Sequence, residues 1–293
     1  MSVATGRSGA ARGAGRAMPQ GMRLSPSAVR AFRRSVYRHY ARHGRKFPWR
    51  SAPDPYLVLV SEIMLQQTHA DRVAEKFPAF IISFPDFASL ALAPLRRVLA
   101  AWRGLGYNRR ALALKRIAAR VVAECGGALP RSPEELRALP GIGKATASSI
   151  AAFAFGAPAV FVETNIRAAF IHGFFPGRRT VDDREILPLV QQTLDARDPQ
   201  RWYNALMDYG AMIKARHGNP ARRSAHHRGQ PAFAGSDRQL RGRALRALLA
   251  GGTADAGALA ARLGEDAVRM ERILAGLRRD GLVERRRGGF SIA

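Results

Sequence analysis

From Ser25 to about Gly218 the apolar residues recur at spacings of three and four, the period of helices that bury one face. Leu57, Val60 and Met64 form one such stripe, and Val98, Ala101, Trp102 and Leu105 form another. Prolines and glycines punctuate the stripes at Phe84-Pro85-Asp86, Gly104, Gly126-Gly127, Pro130 and Pro140. Ser132-Pro133-Glu134-Glu135 reads as an N-cap, a first-turn proline and acidic residues suited to the positive end of a helix dipole. No pair of alternating apolar runs interrupts this region, so residues 25–216 are expected to form an all-α domain.

The pattern breaks at residues 217–236, where His217, Arg222, Arg223, His226, His227 and Arg228 make a basic linker. Three histidines raise the question of zinc. With no cysteine or carboxylate beside them, they read as a solvated loop. Beyond the linker, residues 237–293 predict helices over Gln239–Leu249, Asp255–Leu263 and Asp266–Asp280, then two short strands around Arg285-Arg286-Arg287. Three helices and a terminal hairpin resemble a winged helix, with the third helix as reader and the arginines as wing.

Composition narrows the function. The chain of 293 residues carries 48 Lys and Arg against 22 Asp and Glu, a formal charge of +26. Most of the cations are arginines, whose planar forks grip phosphates, and phosphate neutralisation dominates nucleic-acid affinity. No apolar run is long enough to span a membrane. Residues 1–24 are rich in Gly, Ala and Arg and lack the apolar block of a signal peptide; they are expected to be a disordered basic arm on a cytoplasmic, nucleoid-associated monomer. One cysteine, Cys125, excludes an internal disulfide.

The chemistry concentrates at two places. Leu139-Pro140-Gly141-Ile142-Gly143-Lys144-Ala145-Thr146-Ala147 joins two helices through glycines that let the backbone approach a phosphate at a helix N-terminus. Glu62, in Ser61-Glu62-Ile63-Met64-Leu65-Gln66-Gln67-Thr68, and Glu163, in Glu163-Thr164-Asn165-Ile166-Arg167, supply the carboxylates. The first of these segments resembles the helix-hairpin-helix of DNA repair glycosylases. Together with Pro48-Trp49-Arg50, Trp102-Arg103-Gly104-Leu105-Gly106-Tyr107 and Ala205-Leu206-Met207-Asp208-Tyr209-Gly210-Ala211-Met212-Ile213, the motifs are similar to those of the MutY-type adenine DNA glycosylases of the endonuclease III superfamily.

That resemblance implies a two-lobed helix-hairpin-helix glycosylase fold with the winged-helix-like module appended, and a target nucleotide flipped into the cleft of duplex DNA. It makes Glu62 the acid that protonates the departing base and Glu163 the group facing the sugar, held by Asn165. The family carries an aspartate at Glu163, and a displaced catalytic group can cost about a hundredfold in rate. Gln66, Gln67 and the wedge Tyr107 fall near the flipped base and its gap. Arg50, Arg109, Arg110, Gly141, Gly143, Lys144 and Thr146 become DNA contacts. Ala145 stands where lyase relatives carry a nucleophilic lysine, so the expected enzyme is monofunctional. Lys214 stands where the family's first cluster cysteine falls, and no cysteine follows, so no iron–sulfur cofactor is expected. The favoured substrate is adenine opposite guanine or 8-oxoguanine. Thymine, uracil or a deaminated purine is a second choice, and a non-catalytic DNA-damage or DNA-structure binding protein a third.

Overall fold

The computed structural model describes residues 22–51 and 54–293, so most of the expected basic arm lies outside the described residues. Residues 22–24, assigned to that arm by sequence, are tied down: the Leu24 N–H donates to Gln192, whose amide donates to the Met22 carbonyl.

The helices start and stop where local chemistry dictates. α1 (Pro26–His43) and α2 (Pro55–Leu65) begin with a proline behind a capping Ser25 or Asp54. α3 (Ala70–Ser83), α4 (Phe87–Leu92), α5 (Leu95–Ala101) and α6 (Arg109–Glu124) follow, and Cys125 closes α6. The short α7 (Pro133–Arg137) opens on the reciprocal Ser132–Glu135 capping box. α8 (Lys144–Phe155) ends at a left-handed Gly156. α9 (Thr164–Phe174), α10 (Asp183–Thr193) and α11 (Pro199–Arg216) complete the body.

These elements form two cores. Val60, Ile63, Trp102, Leu114, Ile117 and Ile150 belong to one, built from α2–α8. Val36, Ile166, Phe170, Leu189, Trp202 and Leu206 belong to the other, built from α1 and α9–α11. α8 contributes to both and so joins the two lobes.

The last unit consists of α12 (Asp237–Gly251), α13 (Ala256–Leu263), α14 (Ala267–Arg279) and the antiparallel pair β1 (Val283–Arg286) and β2 (Gly289–Ile292). Ala254 bridges Phe290 as a one-residue third strand. Leu240, Leu248, Met270, Leu274 and Phe290 extend the core of the first lobe without a break. Each such buried side chain contributes about 1.5–3 kcal/mol. Arg96 of α5 donates to the terminal carbonyls of α12, and Arg109 pairs with Asp280 at 3.7 Å. The unit is therefore docked against the first lobe.

The expected linker also differs in part. Pro220–Arg223 form a single 3-10 turn, Val181 bridges Ser224, and Arg223 donates to the carbonyls of Phe175 and Arg178. This half of residues 217–236 belongs to the second lobe. Among the described residues no helix is long and apolar enough to cross a membrane.

Candidate active site

α2, α8, α9 and α11 converge on a cavity of about 970 Å³ between the lobes. Its wall includes Glu62, Gln66, Ala145, Ser149, Glu163 and Lys214.

Glu62 is the polar exception on a helix whose Leu59, Val60, Ile63 and Met64 are buried. Desolvation pushes its carboxyl up to about 7, the Ser149 hydroxyl pulls it down, and the charge of Glu163 raises it again. Ser149 of α8 donates to Glu62 Oε2 and lies 3.0 Å from the Thr146 carbonyl. Near neutral pH, then, the cleft holds a carboxylic acid that can release a proton.

Glu163 is the N-cap of α9. Its Oε1 accepts the N–H groups of Asn165 at 2.7 Å and Ile166 at 3.0 Å. The glutamate thus folds back on its own helix as its cap. Desolvation raises its carboxyl from the ordinary value against the opposing pull of those N–H groups, Lys214 and Arg167. Asn165 holds Glu163 chiefly through its backbone, since its side-chain amide is 3.5 Å away. The same side chain accepts from Lys214 Nζ at 3.1 Å. Gly210 of α11 makes this contact possible. A Cβ there would sit 2.1 Å from the Asn165 carbonyl oxygen.

At the hairpin, Gly141 has φ +79° and Gly143 caps α8 with no side chain of its own, leaving the first-turn N–H groups open to a phosphate. Lys144 is exposed on this outer side, while Ala145 faces the cavity. Thr146, expected at DNA, faces the cavity too and lies 3.4 Å from the Gln66 amide.

Two expected DNA contacts are placed differently. Arg50 is engaged with Asp208 through both ends of its fork, at 2.9 and 3.0 Å. Arg45 shares that carboxylate, and burial is outweighed, so Asp208 stays below the usual range. The pair locks the segment before α2 to α11. Arg110 is buried and donates to the carbonyls of Met64, Gln66 and Leu105, stitching the loop after α2 to the loop before α6. Exposed Arg109 leans towards Asp280. Gln67 lines the cavity, and half-buried Tyr107 lies outside its lining. The roles missed by sequence reasoning are those of Ser149, Lys214 and Gly210. Ser149 had a signal, a hydroxyl on the buried face of an apolar helix. Lys214 and Gly210 had one only in the spacing along α11.

The donor set does not fit an iron–sulfur cluster. Thiolates would have to come from the segment after Lys214, which has none, and Cys125 lies at the end of α6. Among the described residues no three His, Cys, Asp or Glu side chains converge as ligands.

Comparison with known proteins agrees with this geometry. Residues 60–192 match the HhH-GPD superfamily of base excision DNA repair proteins. The adenine DNA glycosylase of Buchnera aphidicola is 33% identical over 62% of this chain, which spans about half (52%) of that protein's length. The solved structure of a thermostable thymine-DNA glycosylase superposes with a TM-score of 0.58 and 25% identity, covering 66% of this chain and 91% of that one. The adenine DNA glycosylase of Mycolicibacterium smegmatis is 34% identical, and the match covers 85% of this chain and 92% of that protein. With that relative aligned almost end to end and the superfamily match running from α2 to α10, the chain belongs to the adenine DNA glycosylase family of the HhH-GPD superfamily.

Proposed function

We propose that the protein is a monofunctional DNA glycosylase that removes adenine opposite guanine or 8-oxoguanine from duplex DNA. The observation that carries this reading is Glu62, an acid protonated up to about pH 7 in a cavity that Glu163 also lines. An anionic purine is a poor leaving group. Glu62 gives its proton to N7, the electron pair of the C1′–N9 bond passes to the base, and adenine departs neutral. Positive charge then develops on the sugar, where the Glu163 carboxylate stabilises it until water adds at C1′ and passes its proton to the Glu62 carboxylate. Ala145 offers no amine for a Schiff base, so an abasic site is the product. The groups required come from one chain, which fits a monomer acting on DNA in the cytoplasm.

The last unit reads as winged-helix-like. Its exposed Arg285, Arg286 and Arg287 at the hairpin suit a phosphate contact. On α14, Arg269 and Arg272 pair with Asp237, which reduces that helix's positive face.

Removal of thymine or uracil is the second reading, favoured by the likeness to the thymine-DNA glycosylase structure. A panel of mispaired and damaged duplexes, followed by alkali, separates the readings. The expected result is cleavage of the adenine duplexes only after alkali, abolished in Glu62→Gln. Strand cleavage without alkali defeats the monofunctional assignment. A pyrimidine duplex as best substrate selects the second reading, and tight binding without any product selects a non-catalytic binder.

A further inference from the structure

The chain has no acidic residue before Asp54, yet it places twelve Lys and Arg there. α1 lies in this stretch and carries five of the arginines. Arg33 turns inward and donates to the carbonyls of Thr193 and Leu194. Arg30, Arg34, Arg38 and Arg42 are exposed and recur every four residues, so they share one row that slants across the outer face of the helix. Like charges at this spacing oppose one another, and α1 has no carboxylate to offset them. The carboxylates that meet α1 and the segment behind it are engaged elsewhere. Asp195 accepts from Tyr37 and pairs with Arg197, and Asp208 pairs with Arg45 and Arg50. Among the described residues, none pairs with the four arginines of the row. A row built only of cations costs the helix stability unless an anion covers it.

The place of α1 limits what that anion is. Arg45, three residues beyond Arg42, lines the cavity. The other end of the helix is tied to α10 through Leu24 and Gln192, and among the described residues α10 contributes nothing to the lining. The row thus starts beside the cavity and leads away from it along the second lobe. From Arg30 to Arg42 it covers about 18 Å of helix axis. One strand of duplex DNA passes about five phosphates in that length. A membrane surface also attracts cations, but a helix lying in it buries large apolar residues beside them. Here Phe32, Tyr37 and Tyr40 pack on the second-lobe core, and the exposed neighbours of the row are Ser27, Ala31, Ser35 and Ala41. A protein partner would meet aromatic or methionine anchors, which this face lacks.

We propose that Arg30, Arg34, Arg38 and Arg42 form a phosphate track for duplex DNA beyond the nucleotide in the cleft; this rests on the reading of duplex DNA as substrate, not on the chemistry at Glu62. The contact is to the backbone, so it carries no sequence information and acts on undamaged DNA as well. It adds residence on the duplex without touching the reacting bond, and it weakens as salt rises.

The test uses the full-length protein and a variant carrying Arg30→Gln, Arg34→Gln, Arg38→Gln and Arg42→Gln together. A second variant carries lysine at the same four positions. Glutamine and lysine both keep a helix propensity close to that of arginine. Affinity is read against salt on undamaged duplexes of about 12 and about 30 base pairs, which needs no excision. On the longer duplex the glutamine variant is expected to lose about three units from the slope of log K against log salt, at about 0.9 per phosphate. The lysine variant should keep the slope, because a point charge suffices for a phosphate. On the shorter duplex all three proteins should bind alike, and single-turnover excision from a saturated short duplex should not change. An unchanged slope in the glutamine variant overturns the proposal, and so does an equal loss on both lengths. A control variant with Arg131, Arg184, Arg246 and Arg262 changed to Gln removes the same charge from scattered exposed positions. If it lowers the slope as much, net charge and not a track is responsible. Loss of binding to phosphatidylserine vesicles in the glutamine variant, with the DNA slope intact, assigns the row to a membrane and also overturns the proposal. If no duplex is excised while the slopes behave as stated, the glycosylase reading fails and the track stands.

Discussion

Ser149 reaches from α8 to donate its hydroxyl proton to Glu62 on α2, so the acid of the cleft is tuned by a residue from the facing helix. A hydrogen bond to the ionised form lowers an acid's pKa, and here it acts against desolvation and the nearby charge of Glu163.

Ser149→Ala should therefore raise the pKa of Glu62. The proposed mechanism needs Glu62 protonated, so the basic limb of the pH profile of kcat/KM, expected near 7, should move to higher pH. Single-turnover rates between pH 5 and 9 measure it. A limb that moves down instead would mean that Ser149 accepts from the acid form and passes its own proton to the Thr146 carbonyl.

In the proposed mechanism the other limb belongs to Glu163. Lys214 lies close enough to lower its pKa and also orients the Asn165 amide. Lys214→Met removes a lowering charge, so Glu163 becomes harder to ionise and the acidic limb should move to higher pH. The basic limb should stay within a few tenths of a unit, because Lys214 is not among the groups acting on Glu62. Movement of both limbs together would make Lys214 a general field effect.

Glu163 combines two tasks that a pair of substitutions can separate. Glu163→Gln keeps an oxygen for the N–H groups of Asn165 and Ile166 but removes the charge. Stability should change by less than about 1 kcal/mol, while the excision rate falls by about a hundredfold or more. Glu163→Ala should lose the rate and also about 1 kcal/mol from the missing cap. A Glu163→Gln protein with near-normal excision would reduce Glu163 to a cap and remove it from the chemistry.

Burial of Glu62 also has a stability signature. Its folded pKa lies above the ordinary 4.5, so its contribution is fully present below that value and is lost as pH rises through about 7. Glu62→Gln has no charge to bury. Its stability advantage over wild type should grow between pH 5 and pH 9, reaching on the order of 2 kcal/mol. Thermal melts across that range check it. A constant offset would show that Glu62 is well solvated.

Much of this site could be read from the chain, and the failures share a cause. The helices of residues 25–216 followed from apolar spacing and caps. Glu62, Glu163 and the glycine hairpin followed from their motifs. Arg50 and Arg110 were misassigned because an arginine in a basic protein looks like a phosphate ligand until its partner is known. Arg50 meets Asp208, 158 residues away, and Arg110 meets the carbonyl of Gln66, 44 away. Ser149 with Glu62 and Lys214 with Asn165 are likewise long-range pairs. Local periodicity reports which face of a helix is buried, but not what that face meets. The docking of α12 against the first lobe was hidden for the same reason.

Gly210 carries the most exacting packing constraint in the site. A Cβ at this position would lie 2.1 Å from the Asn165 oxygen, 2.6 Å from its carbonyl carbon and 2.9 Å from its Cα. All three are backbone atoms, so no rotamer change relieves the overlap. Gly210→Ala must push α9 away from α11 by about 1 Å to restore van der Waals contact. α9 carries Glu163 and Asn165 at its start, so the Glu163 carboxylate moves with it. The expected result is a loss of about 1–3 kcal/mol in stability and about a hundredfold in excision rate. Gly173 in α9 supplies the control, because its Cβ would find nothing closer than Phe32 at 3.8 Å. Gly173→Ala should leave excision intact and stabilise by up to about 1 kcal/mol through helix propensity. If Gly210→Ala melts and reacts like Gly173→Ala, the close approach of α9 and α11 does not set the position of Glu163. If Gly210→Ala loses rate while retaining stability, the helices have separated without unfolding, and the lost activity measures how finely that contact places the carboxylate.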